Sequence, residues 1–140
     1  MPNNASSPPD GLVHVATMLA VTDLDASVAF YRDLFGFEVR DLHSSAALLT
    51  RDTVLLYVVT HSPPTPDKPS VTLTAPATPA QTPVNLVFRV EDCRAAYEQL
   101  AALGVTFLTP PQQPPWGGWR CFTRDPNGYL VEIEEPQTGP

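Results

Sequence analysis

In the stretch PPWGGWRC, Trp116 and Trp119 flank Gly117 and Gly118, and Arg120 follows. A loop tryptophan offers a broad apolar surface with one N–H, which suits the wall of a pocket for a flat, partly apolar molecule. The segment YLVEIEE carries Glu132, and NLVFR carries Asn85 and Arg89. Strand alternation puts Asn85 on one face with Val87 and Arg89, and Glu132 on one face with Leu130 and Glu134. A carboxylate held inside a fold needs a partner. Arg89 is placed to pair with Glu132, and Arg120 is the other option; such a pair would brace the fold and orient a ligand. Glu132 is also the candidate for proton transfer. His43 and His61 fall in loops with no acidic pair nearby and read as solvated. Cys93 and Cys121 do not form a CxxC pair and read as free, mostly buried thiols rather than a disulfide.

The rest of the composition narrows the setting. The chain has 140 residues, enough for one ordinary domain, and 43% of them are hydrophobic. Eight basic residues against 15 acidic ones give a net charge of −7. No Lys/Arg stripe occurs, so nucleic acid is not an expected partner. No apolar run is long enough for a membrane helix. The opening MPNNASSPPDG is polar, contains proline and lacks signal-peptide features, so a disordered tail before a cytoplasmic domain is expected. Most of the 17 prolines sit in the tail, in residues 63–83 and in 110–115, where they stiffen loops.

The elements that must position these side chains follow a grammar stated twice. VHVATMLAV (13–21) reads as a buried strand, with Asp23 or Asp25 as the cap of the helix that follows. Ser27, Val28, Tyr31, Leu34 and Phe35 recur at helical spacing, with Phe30 and Tyr31 assigned to the core, and Gly36 stops the helix. FEVRDL, AALLT and TVLLYVVT read as three strands, with a tight turn at RDT. After a Pro-rich linker (61–83), with one short extended piece at Val71–Leu73, the order returns. VNLVFRV is a strand, Asp92 a cap, Ala96, Leu100 and Leu103 an apolar helix face and Gly104 the stop. VTFLT, WRCFTR and YLVEIEE are strands, and DPNG (125–128) is a hairpin turn held by Asp125. Val21 and Asp23 are matched by Val90 and Asp92, an offset of 69 residues, which marks an internal duplication. The expected fold class is α+β: two tandem βαβββ modules forming a half-open mixed-sheet barrel. The expected boundaries are a tail at 1–11, modules at 12–60 and 84–136 around the linker, and a tail at 137–140.

VTDLDASVAFYRDLFGFEV, its counterpart VFRVEDCRAAYEQLAALGV and the terminal RDPNGYLVEIEEP resemble the vicinal oxygen chelate superfamily. That superfamily includes glyoxalase I, extradiol dioxygenases and bleomycin- or fosfomycin-resistance proteins. The resemblance covers roughly residues 12–136 and specifies the fold better than the activity. Metal-dependent members of it hold their ion with four side chains, on the first and last strands of each module. Carried over residue by residue, these positions are Ala16, Tyr57, Asn85 and Glu132. Ala16 has no donor atom, Tyr57 and Asn85 are poor ligands for a divalent ion, and only Glu132 is strong. His14 shares a strand face with Ala16, Met18 and Ala20, and would have to reach ~6.6 Å along the strand to substitute.

The resemblance and the degenerate ligand set together give the expected function: a metal-free protein that binds a small, partly aromatic molecule. Its binding residues would be Tyr57, Asn85, Arg89, Trp116, Trp119, Arg120 and Glu132, with no cofactor. One alternative is a lyase, isomerase or dioxygenase using Glu132 as an acid/base, or with a divalent metal weakly held by Glu132, Asn85 and His14. Another is a non-catalytic pseudo-enzyme whose duplicated sheet serves dimerisation. The resemblance also implies a homodimer.

Overall fold

The computed structural model describes residues 7–137. The first module runs β1 (Thr17–Val21), α1 (Leu24–Phe35), β2 (Glu38–Leu42), β3 (Ala46–Arg51) and β4 (Val54–Thr60). The second runs β5 (Asn85–Arg89), α2 (Cys93–Ala102), β6 (Trp119–Arg124) and β7 (Leu130–Glu135). Two sheets result, ordered β1-β4-β3-β2 and β5-β7-β6. In each, the strand before the helix pairs in parallel with the last strand of its module. The duplication therefore extends from the order of elements to the topology.

Both helices begin as the repeat requires. The carboxylate of Asp23 accepts the Ala26 N–H at 3.1 Å, and that of Asp92 accepts the Ala95 N–H at 3.0 Å. Each satisfies one of the donors a first helical turn leaves free. Gly36 ends α1 at φ 73°, where a side chain would be strained. α1 buries Leu24, Val28, Tyr31 and Phe35. α2 is a thinner element, with only Cys93 and Leu100 buried. Leu103, expected on its apolar face, is 64% exposed.

Three other expectations are corrected. Residues 13–16 are exposed and lie outside β1, which begins at Thr17, so that strand is shorter than its β-branched sequence implies. VTFLT is not a full strand: it meets β6 through an isolated bridge, Phe107 to Thr123, and through the Thr123 hydroxyl, which donates to the Thr106 carbonyl at 2.7 Å. The Pro-rich segment after it leaves by a second bridge, Gln112 to Arg120, so a continuous fourth ladder does not form. His43, read as having no acidic neighbour, lies 3.1 Å from Asp41, with both side chains exposed. The tail predictions fall partly on residues 1–6 and 138–140, outside the described residues. Among the described residues, no helix is long and apolar enough to cross a membrane.

The modules meet through their helix-side layers. Phe35 stacks on Phe88 of β5 with ring centroids 4.4 Å apart. The DPNG turn reaches across to the first module. Tyr31 Oη donates to Asp125 Oδ2 at 2.7 Å, and Asn127 Oδ1 accepts the Thr22 N–H at 2.9 Å. Tyr129 Oη donates to the Ala20 carbonyl at 2.8 Å. Asp125 also accepts the N–H groups of Asn127 and Tyr129 on its other oxygen, as its turn-holding role requires. No strand of one sheet is hydrogen-bonded to a strand of the other. β1 and β5 are both edge strands within the chain. The faces turned away from the helices are open: Met18 is 50% exposed on the first and Val87 46% on the second.

Candidate functional site

Strand alternation sorts the candidate residues onto these open faces. In β7, Val131 and Ile133 are buried toward α2, so Leu130, Glu132 and Glu134 point the other way. In β5 the open-face residues are Asn85, Val87 and Arg89, and in β6 they are Arg120, Phe122 and Arg124. On the four-stranded sheet, Leu56 and Val58 are buried against α1, which turns half-buried Tyr57 to the open face. There it lies between its register partners Met18 and Leu48.

The structure brings Asn85 and Glu132 together. Glu132 is 8% exposed, and its Oε1 accepts Nδ2 of Asn85 at 2.9 Å. The expected ion pair of Arg89 with Glu132 is not formed. Arg89 Nε lies 3.5 Å from Glu134 Oε2 instead. Register explains the change: Arg89 stands directly opposite Glu134 in the parallel β5–β7 pair, whereas Glu132 stands opposite Val87. Arg120, the other expected partner of Glu132, is opposite Glu134, and Phe122 is opposite Glu132.

Arg120 is half-buried, with its guanidinium 5.1 Å from the Trp116 ring and 5.2 Å from the Phe122 ring. It makes no ion pair among the described residues, since Glu134, nearest by register, is taken by Arg89. Two aromatic rings thus fix a cation at the loop end of the open face. Trp116 is 67% exposed beside it. The loop that carries it is pinned by Gly118, at φ 75°, where a Cβ would run into the Glu135 carbonyl oxygen. Trp119 is turned to the helix side, under Arg94 of α2 at 4.4 Å, so only one of the two tryptophans lies beside Arg120. Sequence reasoning missed Phe122 as the second plate under Arg120. The signal was present in WRCFTR, where positions two apart share a strand face.

A family model for the Glyoxalase/Bleomycin resistance protein/Dioxygenase superfamily matches residues 11–133. The chain belongs to this superfamily. Solved structures agree on the fold. A glyoxalase/bleomycin resistance protein/dioxygenase from Nocardioides is 22% identical with TM-score 0.72, the match covering 96% of this chain and 95% of that one. Lactoylglutathione lyase from Agrobacterium tumefaciens is 24% identical with TM-score 0.69, covering 91% and 95%. A bleomycin-binding protein complexed with bleomycin is 21% identical with TM-score 0.64, covering 90% and 100%. No curated protein matches the chain.

Metal-dependent members of the superfamily would place an ion between the two modules' first and last strands, and the residues at the positions carried over do not fit one. Ala16 contributes a methyl group from the exposed segment before β1. Asn85 turns its amide nitrogen to Glu132, because a carboxylate oxygen only accepts; its nitrogen is no ligand. Tyr57 is a phenol, which leaves Glu132 as the one strong ligand where divalent ions generally take about three or more. Among the described residues, no three His, Cys, Asp or Glu side chains gather to hold an ion. His14 lies outside β1 in the same exposed segment as Ala16.

Proposed function

We propose that this superfamily member binds a small, flat, partly apolar molecule bearing an anionic group, without a metal, at the open face of its three-stranded sheet. The observation that carries this reading is Arg120: a half-buried guanidinium, clamped between Trp116 and Phe122, with no ion-pair partner among the described residues. A carboxylate or sulfonate would complete its charge pairing by a two-pronged hydrogen bond. An aromatic body beside that anion would lie against exposed Trp116, since base-like or drug-like rings stack well on indole. The hydrogen-bonded Asn85 and Glu132 would supply polar contacts deeper on the same face, with Arg89 at its edge. The bleomycin-binding neighbour supports a small-molecule role for this fold.

A second copy of the chain completes the pocket in this proposal. The edges of β1 and β5 are free, and the open faces carry half-exposed Met18 and Val87. A two-fold dimer would set the four-stranded sheet of one copy, with Tyr57, against the three-stranded sheet of the other.

The test is a thermal-shift and tryptophan-fluorescence screen of aromatic carboxylates and sulfonates against their uncharged amides. The anions are expected to stabilise the protein and quench its fluorescence, and Arg120→Gln to weaken them by about tenfold or more. Amides binding as well as acids would refute the role of Arg120. Stoichiometric tight binding of Ni, Mn, Zn or Fe to protein purified without chelator would refute the metal-free reading.

A further inference from the structure

Cys93 and Cys121 lie far apart in sequence and take no part in the open-face site. Cys93 is the first residue of α2, and Cys121 is in β6 on the helix side of the sheet. They are 0% and 1% exposed, and their sulfur atoms are 3.8 Å apart. Cys93 Sγ also touches the Ile133 carbonyl at 3.5 Å, and the Cys93 N–H donates to Glu135 Oε1 at 2.9 Å. One hydrogen bond thus ties the start of α2 to β7. A disulfide needs the sulfurs to close to about 2.05 Å, a movement of under about 2 Å that side-chain torsions can share with a small shift of the helix end. α2 can make that shift, because it buries so little of its surface.

We propose that Cys93 and Cys121 form a built-in dithiol that a peroxide-class oxidant closes to a disulfide, fastening the start of α2 to β6. Hydrogen peroxide oxidises one thiol to a sulfenic acid and releases one water. The sulfur of the second thiol then attacks the sulfenic sulfur, forming the S–S bond and expelling the second water. Each chain loses two hydrogens and the peroxide becomes two waters. Cys93 is the better first nucleophile. It sits at the first turn of a helix, which opens more readily than a strand; burial, Glu135 and Asp92 raise its thiol while the hydrogen bond with Cys121 and Arg94 lower it, whereas burial, then the neighbouring Cys93 and Glu132, push the Cys121 thiol up to about 12. Burial raises Cys93 as well, so the reaction proceeds through transient opening at the helix start.

The experiment treats the reduced, folded, full-length chain with hydrogen peroxide and reads intact mass, free thiols after unfolding, and Tm. The expected result is a mass loss of about 2 Da, disappearance of both thiols within one chain, and a Tm rise of about 5–10 °C that dithiothreitol reverses. Cys93→Ser and Cys121→Ser should each keep one thiol and show no such rise. If a variant does not fold, the wild-type measurements decide alone. Two surviving thiols, a sulfinic acid in place of the disulfide, or cross-linking between chains would each overturn the proposal.

Discussion

Replacing Tyr31 by phenylalanine removes a single oxygen atom from the join between the two modules. Tyr31 is fully buried, and its hydroxyl is 2.7 Å from Oδ2 of Asp125, itself 5% exposed. Asp125 would keep the N–H groups of Asn127 and Tyr129 at 2.8 and 3.0 Å, and a longer contact at 3.3 Å from Asn127 Nδ2. Water cannot replace the lost donor at a site so enclosed. A hydrogen bond to a charged acceptor contributes about 1.5–3 kcal/mol, so the variant should lose about 2 kcal/mol at neutral pH. At about 3 °C per kcal/mol for a chain of this size, Tm should fall by about 6 °C.

The same bond predicts a pH effect. Burial, then the charge and hydrogen bond of Asp125, raise the Tyr31 phenol far above its ordinary value of 10.0. The folded state thus keeps a proton that the unfolded chain gives up above about pH 10. This contribution to stability is fully present below pH 10 and is lost progressively as pH rises beyond it, by about 1.4 kcal/mol per pH unit. Urea unfolding at pH 7 and between pH 9.5 and 11 measures both effects. The wild type should weaken steeply at the alkaline end, and Tyr31→Phe should weaken less steeply by one proton. A loss under about 0.5 kcal/mol at pH 7, or an unchanged alkaline slope, would refute the view that Tyr31 and Asp125 lock the modules together.

Gly118→Ala should destabilise the chain by roughly 2 kcal/mol or more, read by urea unfolding, because positive φ and the Glu135 carbonyl both oppose a Cβ. Asp23→Ala and Asp92→Ala should each cost about 1 kcal/mol by the same assay, since each removes one N-cap acceptor; equal effects would show that the repeats share their capping chemistry. Arg120→Gln should cost about 1 kcal/mol in urea unfolding, since the two ring contacts are lost, with no ion pair among the described residues, while shifting the emission of Trp116. Glu132→Gln should be tolerated better than Glu132→Leu in thermal unfolding, because the amide can still accept from Asn85 and the leucine cannot.

Much of the architecture was legible because it rests on short-range rules. The caps Asp23 and Asp92, the stop at Gly36 and the Asp125 turn depend on neighbours a few residues away, and each stands where the sequence indicates. The two failures of strand prediction show that propensity does not by itself decide pairing: VHVA stays outside β1 although β4 continues to Val54, and VTFLT keeps only isolated contacts with β6.

The candidate site divides along the same line. Which residues share a strand face follows from the period of two, so the sequence groups Asn85 with Arg89 and Glu132 with Glu134, but it does not say which faces of different strands meet. The sequence also shows that Ala16, at a position the resemblance assigns to a metal ligand, has no donor atom in any fold. Tertiary structure decided the pairings. Register set Arg89 against Glu134 instead of Glu132; Asn85 reaches Glu132 diagonally across the β5–β7 pair; and Arg120, also opposite Glu134, lies by the Trp116 and Phe122 rings without an ion-pair partner among the described residues. A one-residue slip of register changes every such partner without changing any local propensity, which is why these contacts could not be read before the strands were aligned.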